Sequence, residues 1–112
     1  GYTLADAGRH LEEARELIHS AFERKPDSPA ILDSVGWVLY RLGHPERGLG
    51  YLERAFSIAP GGEIGAHLGE VLWELGERER ARTIWREAVG VDSEHRVLKE
   101  TLRRYEINID GW

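Results

Sequence analysis

Side chains able to do chemistry are scattered along this 112-residue chain rather than gathered. The five histidines, His10, His19, His44, His67 and His95, sit in separate stretches. His67 and Glu70 lie one helical turn apart and could share a metal, but a metal centre needs three or four ligands. A solvent-facing hydrogen-bonded pair is the better reading. With no cysteine there is no disulfide, no thiol chemistry and no thiolate zinc site. Carboxylates are abundant, yet runs such as Glu12-Glu13 and Glu77-Arg78-Glu79-Arg80 read as solvated helix faces with i, i+4 ion pairs. Gly48-Leu49-Gly50 and Gly61-Gly62 lack the strand-then-helix setting of a phosphate-binding loop. Gly61-Gly62 reads instead as a hinge. No serine or threonine has a base partner in view. The expectation is a protein that is not an enzyme and needs no metal or cofactor.

Composition narrows the partners. Acidic residues (20) outnumber basic ones (15), giving a formal charge of −5. Non-specific nucleic-acid binding needs clustered Lys and Arg, so it is excluded as a leading role. The longest apolar run, Val35 to Tyr40, is far too short to span a bilayer. The amphipathic stretches are not basic enough for a membrane surface. At 41% hydrophobic, the chain can bury a modest single-domain core. It begins at Gly1 and contains no methionine, so it is expected to be a piece of a longer protein. Cellular address is unreadable from composition.

The elements that must position any site repeat themselves. Ala21, Ala55 and Ala88 are spaced by 34 and 33 residues. Ala14, Gly48 and Ala81 take the same steps, as do Ile18, Leu52 and Trp85. Ahead of each set stand two glycines seven apart: Gly1 and Gly8, Gly36 and Gly43, Gly69 and Gly76. A fixed period in this range is the mark of a helical repeat array. Within a repeat, Leu32, Val35, Gly36 and Leu39 follow i, i+3, i+4, i+7, one stripe of a helix. Gly48, Leu52, Ala55 and Phe56 form a second stripe. Between them, Gly43 suits the left-handed end of one helix and Pro45 the first turn of the next. Ser28 can cap a helix that Pro29 begins.

This spacing predicts helices near 29–42, 45–58, 63–75 and 77–90. The first repeat keeps the end of one helix, about Tyr2 to Ala7, and a second helix near 10–24. A last helix, 94–105, carries Leu98, Leu102 and Tyr105 on one face and charges elsewhere, as a terminal cap should. Residues 107–112 read as a loose tail. Gly36 and Gly69 fall in mid-helix, where glycine costs roughly 1 kcal/mol against alanine. Such positions suit a neighbouring helix that passes too close for a side chain. Leu39, Leu52, Leu72 and Trp85 should fill the remaining core.

These residues resemble the tetratricopeptide repeat family, whose unit is a 34-residue helix pair. The likeness is carried by Leu32, Gly36, Leu39, Tyr40, Gly43, Leu52, Ala55 and Pro60, then by Leu68, Gly69, Leu72, Gly76, Ala81 and Ala88. It covers nearly the whole chain. It implies an all-α, right-handed α-solenoid of about three helix-turn-helix repeats with a C-terminal capping helix. The divisions are a partial first repeat (1–28), a second (29–61), a third (62–93), a cap (94–106) and a tail (107–112). Gly48 departs from the family's usual alanine, which should loosen that helix start, and Ser93 replaces the closing proline. The incomplete first repeat leaves apolar surface short of cover, so a homodimer through it is expected.

The phrases Gly1-Tyr2-Thr3-Leu4-Ala5-Asp6, Leu32-Asp33-Ser34-Val35-Gly36-Trp37 and His67-Leu68-Gly69-Glu70-Val71-Leu72-Trp73 are also similar to proteobacterial envelope repeat proteins. Some of those are outer-membrane lipoproteins that act as adaptors for a periplasmic carboxy-terminal processing protease. That likeness implies a periplasmic location, tethered to the outer membrane in a full-length protein.

The family implies that first helices line a concave surface. Asp33, Trp37, Tyr40 and Arg41 form one stripe there, and Glu70, Trp73 and Glu74, with His67 and Glu63 nearby, form the next; Tyr2 would join from the first repeat. The expected groove is a row of aromatics edged by acids. Aromatics give large contact area at low entropy cost, and acids favour a partner with basic and apolar side chains. A carboxylate clamp is not expected, since Asp33, Glu70 and Glu74 would repel an anionic tail. Two readings of the aromatics stand side by side. The stretch from Ile31 to Leu42 is apolar nearly all round, which also suits plain burial between neighbours, and the family commonly has tyrosine where Tyr40 stands. The function expected is a protein-interaction adaptor or scaffold; the alternative is a structural spacer or C-terminal cap with recognition elsewhere.

Overall fold

Helix punctuation in the sequence is used where it falls. In the computed structural model, which describes residues 28–108, the Ser28 side chain accepts a hydrogen bond from the Ile31 N–H at 3.5 Å, and Pro29 opens the first helix. Five helices follow: α1 (Pro29–Arg41), α2 (Pro45–Ile58), α3 (Gly62–Glu74), α4 (Arg78–Val91) and α5 (Arg96–Arg104). Among the described residues there is no strand. The chain is an all-α helical repeat: α1–α2 and α3–α4 are the closest helix pairs, the two hairpins lie alongside one another, and α5 docks on α3 and α4.

The turns inside the hairpins repeat atom for atom. Gly43 has φ +92° and Gly76 φ +88°, the left-handed conformation that glycine adopts without strain. At the end of α1, the His44 N–H donates to Leu39 O at 2.8 Å and the Gly43 N–H to Tyr40 O at 3.0 Å. At the end of α3, Glu77 and Gly76 bond in the same way to Leu72 O and Trp73 O, at 2.9 and 3.0 Å. This crossed pair of bonds satisfies carbonyls that a helix end would otherwise leave bare. Helix α5 closes with the same motif: Ile107 N–H to Leu102 O at 2.9 Å and Glu106 N–H to Arg103 O at 3.1 Å. The expected loose tail therefore starts later than Ile107, whose side chain packs against the core.

Small residues set the spacing between helices. A Cβ placed on Gly36 would lie 2.6 Å from Leu52 Cγ and 2.7 Å from Gly48 O. A Cβ on Gly48 would run into Gly36 O. Gly48 thus does not merely loosen a helix start; it lets two backbones touch. One repeat later the solution differs. A Cβ on Gly69 would collide with the Trp85 indole, which fills that gap with Ala81 beside it. Trp85, Leu52 and Leu72 are fully buried and Leu39 nearly so. Gly62 is not simply a hinge. It is the first residue of α3 and buried, and a side chain there would strike the His95 ring. Helix α3 touches every other described helix, which is why it carries so many small buried positions. Leu102 in the cap takes the place of Gly36 and Gly69, since no second helix crosses α5 among the described residues.

Candidate partner-binding surface

Helices α1 and α3 present their polar stripes next to one another, and the stripes interlock. The Nδ1–H of His67 on α3 donates to Asp33 Oδ1 on α1 at 2.8 Å. The His67 ring stacks on Trp37, with centroids 3.9 Å apart and planes 18° from parallel. Trp37 in turn tilts against Tyr40 at 5.1 Å. The pair foreseen between His67 and Glu70 does not form. His67 reaches back one repeat to Asp33, while Glu70 reaches forward one repeat to the guanidinium of Arg104 on α5. Both links span 34 residues. Opposite-polarity groups one repeat period apart on first helices were the signal in the sequence for both.

Farther along, the surface turns inward. Glu70 is only 5% exposed. Tyr40 lies against it, and its pKa is pushed up to about 12, first by burial, then by the charge of Glu70 and the hydrogen bond to it. The Tyr105 hydroxyl donates to Glu74 Oε1 at 2.8 Å. The Tyr105 pKa is also raised, first by burial and then by that bond. Trp73 contacts Trp85 and Tyr105, each at 5.7 Å between centroids, and the Arg78 guanidinium sits 4.8 Å from its ring centre. Arg104 and Tyr105, which sequence reasoning assigned to the cap alone, thus occupy the acids of the third repeat.

The nine residues expected to line a groove divide accordingly. Asp33, Trp37 and His67 form one cluster, with Tyr40 at its edge. Glu70, Glu74 and Trp73 belong to the contacts with α5 and α4. Arg41 is exposed in the last turn of α1, where a cation suits the helix dipole. Tyr2 lies outside the described residues, as does the first repeat on which a homodimer would depend. Beside the Asp33 cluster opens a cavity of about 440 Å³ between the starts of α1 and α3, lined by Asp33, Ser34 and Glu63 and by the Ala59–Gly61 loop that leads into α3. No basic side chain lines it.

The chain resembles two curated proteins. It is 51% identical over 70 residues, 62% of its length, to a TPR repeat-containing protein of Pseudomonas aeruginosa. It is 33% identical over 96 residues, 85% of its length, to human tetratricopeptide repeat protein 7A. Its repeats are tetratricopeptide repeats. The hairpin geometry, the small residue at each close approach (Gly36 against Gly48, then Gly69 under Trp85) and the repeated turn are how this tetratricopeptide chain realises the unit. No model of a known family matches it. The aligned segment spans only 12% and 11% of the two relatives. No helix among the described residues is long and apolar enough to cross a membrane.

Proposed function

We propose that this tetratricopeptide segment is a protein-interaction module whose binding surface centres on Trp37, and that it binds rather than catalyses. The observation that carries the reading is the half-buried Trp37 stacked on His67 at 3.9 Å, beside a cavity that holds Asp33 and Glu63 with no Lys or Arg on its wall. An aromatic anchor next to acids that no Lys or Arg among the described residues faces suits a peptide with an apolar side chain flanked by Lys or Arg. Tyr40 and Arg41 continue the surface toward the end of α1. In a longer protein such a surface would serve as an adaptor or scaffold, and the proposed setting, supported only by the likeness of its repeat phrases to envelope proteins, is the bacterial periplasm with a tether to the outer membrane.

Selection from a peptide-display library tests this. The expected winners are enriched in Lys or Arg next to an aromatic or branched apolar residue. Winners without charge bias, or binding equally well to Asp33→Asn, would overturn the reading.

A second reading has its own support. Glu70, Glu74 and Trp73 already have partners within the chain, as suits a terminal cap and spacer. On that reading no library peptide is retained.

A further inference from the structure

We infer that Asp33, Glu63 and His67 form a binding site for a divalent transition-metal ion of the zinc type. One ligand atom from each residue lies within 4.8 Å of the others. Donors around a four-coordinate zinc stand about 3.3 Å apart, given bonds near 2.0–2.1 Å. The remaining closure is small. Glu63 and His67 are i, i+4 on α3 and share a face, while Asp33 comes from α1, so the ion would tie two repeats together.

Three further observations point to a cation here. Asp33 and His67 are already positioned: their side chains are only 10% and 12% exposed, and they touch at 2.8 Å. The Trp37 ring fixes the imidazole plane from one side. Replacing the Nδ1 proton with a metal needs this contact to open by about half an ångström, to the donor spacing of a tetrahedral ion. Glu63 is exposed, has no partner among the described residues, and lines the cavity together with Asp33. It is the ligand free to swing in. Two carboxylates thus face one cavity with no Lys or Arg on its wall, and among the described residues only the His67 imidazole stands against them. One imidazole and two carboxylates suit a borderline ion, and the cavity leaves room for water as the fourth ligand. A hard cation such as Mg²⁺ prefers all-oxygen ligands.

The inference stands apart from peptide binding, because its probe is the metal alone. Isothermal titration of the full chain with zinc chloride should show one equivalent bound. Glu63→Gln, a change at an exposed position that leaves the fold intact, should weaken that binding at least tenfold. Asp33→Asn and His67→Gln should do the same, with unchanged circular dichroism for at least one of them. Mg²⁺ should bind at least a hundredfold more weakly than zinc. Zinc affinity that is the same in Glu63→Gln as in the parent chain would overturn the assignment by placing the ion on other histidines. Absence of zinc binding would overturn it too.

Discussion

Gly36 and Gly48 face each other across the α1–α2 interface with backbone against backbone: a Cβ on the first would sit 2.7 Å from the carbonyl oxygen of the second. The contact explains why two glycines that weaken their own helices are present. It also separates two kinds of glycine in one helix, because Gly50, two residues beyond Gly48, has open space around its Cβ position.

The two kinds should respond in opposite ways to alanine. Gly36→Ala forces apart a backbone oxygen and Leu52, and overpacking of this sort costs about 1–3 kcal/mol. Gly50→Ala meets nothing and should gain up to about 1 kcal/mol from helix propensity. Urea denaturation of both variants checks the pair. A Gly36→Ala protein as stable as the parent would show that the helices are not in contact there.

Trp85 is the third repeat's answer to the same gap, fully buried over Gly69, with its Nε1–H donating to Ala66 O at 3.4 Å. Trp85→Ala should cost about 3–5 kcal/mol. Thermal unfolding measures this, and a loss under 1 kcal/mol would place the indole outside the core.

Glu106 has φ +57° at the position held by Gly43 and Gly76 in the other two turns. A side chain there opposes the left-handed conformation. Glu106→Gly should stabilise the chain by about 0.5–1 kcal/mol, offset in part by the freer unfolded state. Lower stability in denaturant titration would mean that the Glu106 side chain contributes something the turn geometry does not reveal.

Tyr40 and Tyr105 set an alkaline limit. Both are raised above the ordinary tyrosine value of 10, Tyr40 to about 12. A raised pKa means the folded state holds its proton more tightly than the unfolded state. The contribution is whole below pH 10 and is lost as pH rises through the folded values. Urea midpoints should fall from pH 10 toward 12. Tyr40→Phe and Tyr105→Phe should each flatten that fall, and an unchanged slope in both would remove the tyrosines as its cause.

The fold was legible because it is periodic. Alanine and glycine spacing placed Pro29, Pro45, Gly43 and Gly76 at real boundaries, and the ends of the five described helices fall within two residues of those expected. The surface was less legible. Residue type and helical face put Asp33, Trp37, Glu70 and Trp73 on neighbouring stripes. They did not reveal that Arg104 and Tyr105 would reach Glu70 and Glu74, because that depends on how α5 docks. A local i, i+3 search paired His67 with Glu70, whereas the real partners lie one repeat away. Glu63 lies near that stripe in the sequence, but nothing in its own helix marks the cavity, which exists only where α1 and α3 meet.

Whether the Trp37 end of this surface binds protein is decided by affinity. A labelled basic-apolar peptide taken from the display selection is titrated with the parent chain and with Trp37→Ala, using fluorescence anisotropy. Loss of an aromatic anchor costs about 2 kcal/mol or more, so the variant should bind at least tenfold more weakly while its circular dichroism spectrum stays the same. Equal affinity in a folded Trp37→Ala protein would mean that Trp37 is not the anchor of a binding surface.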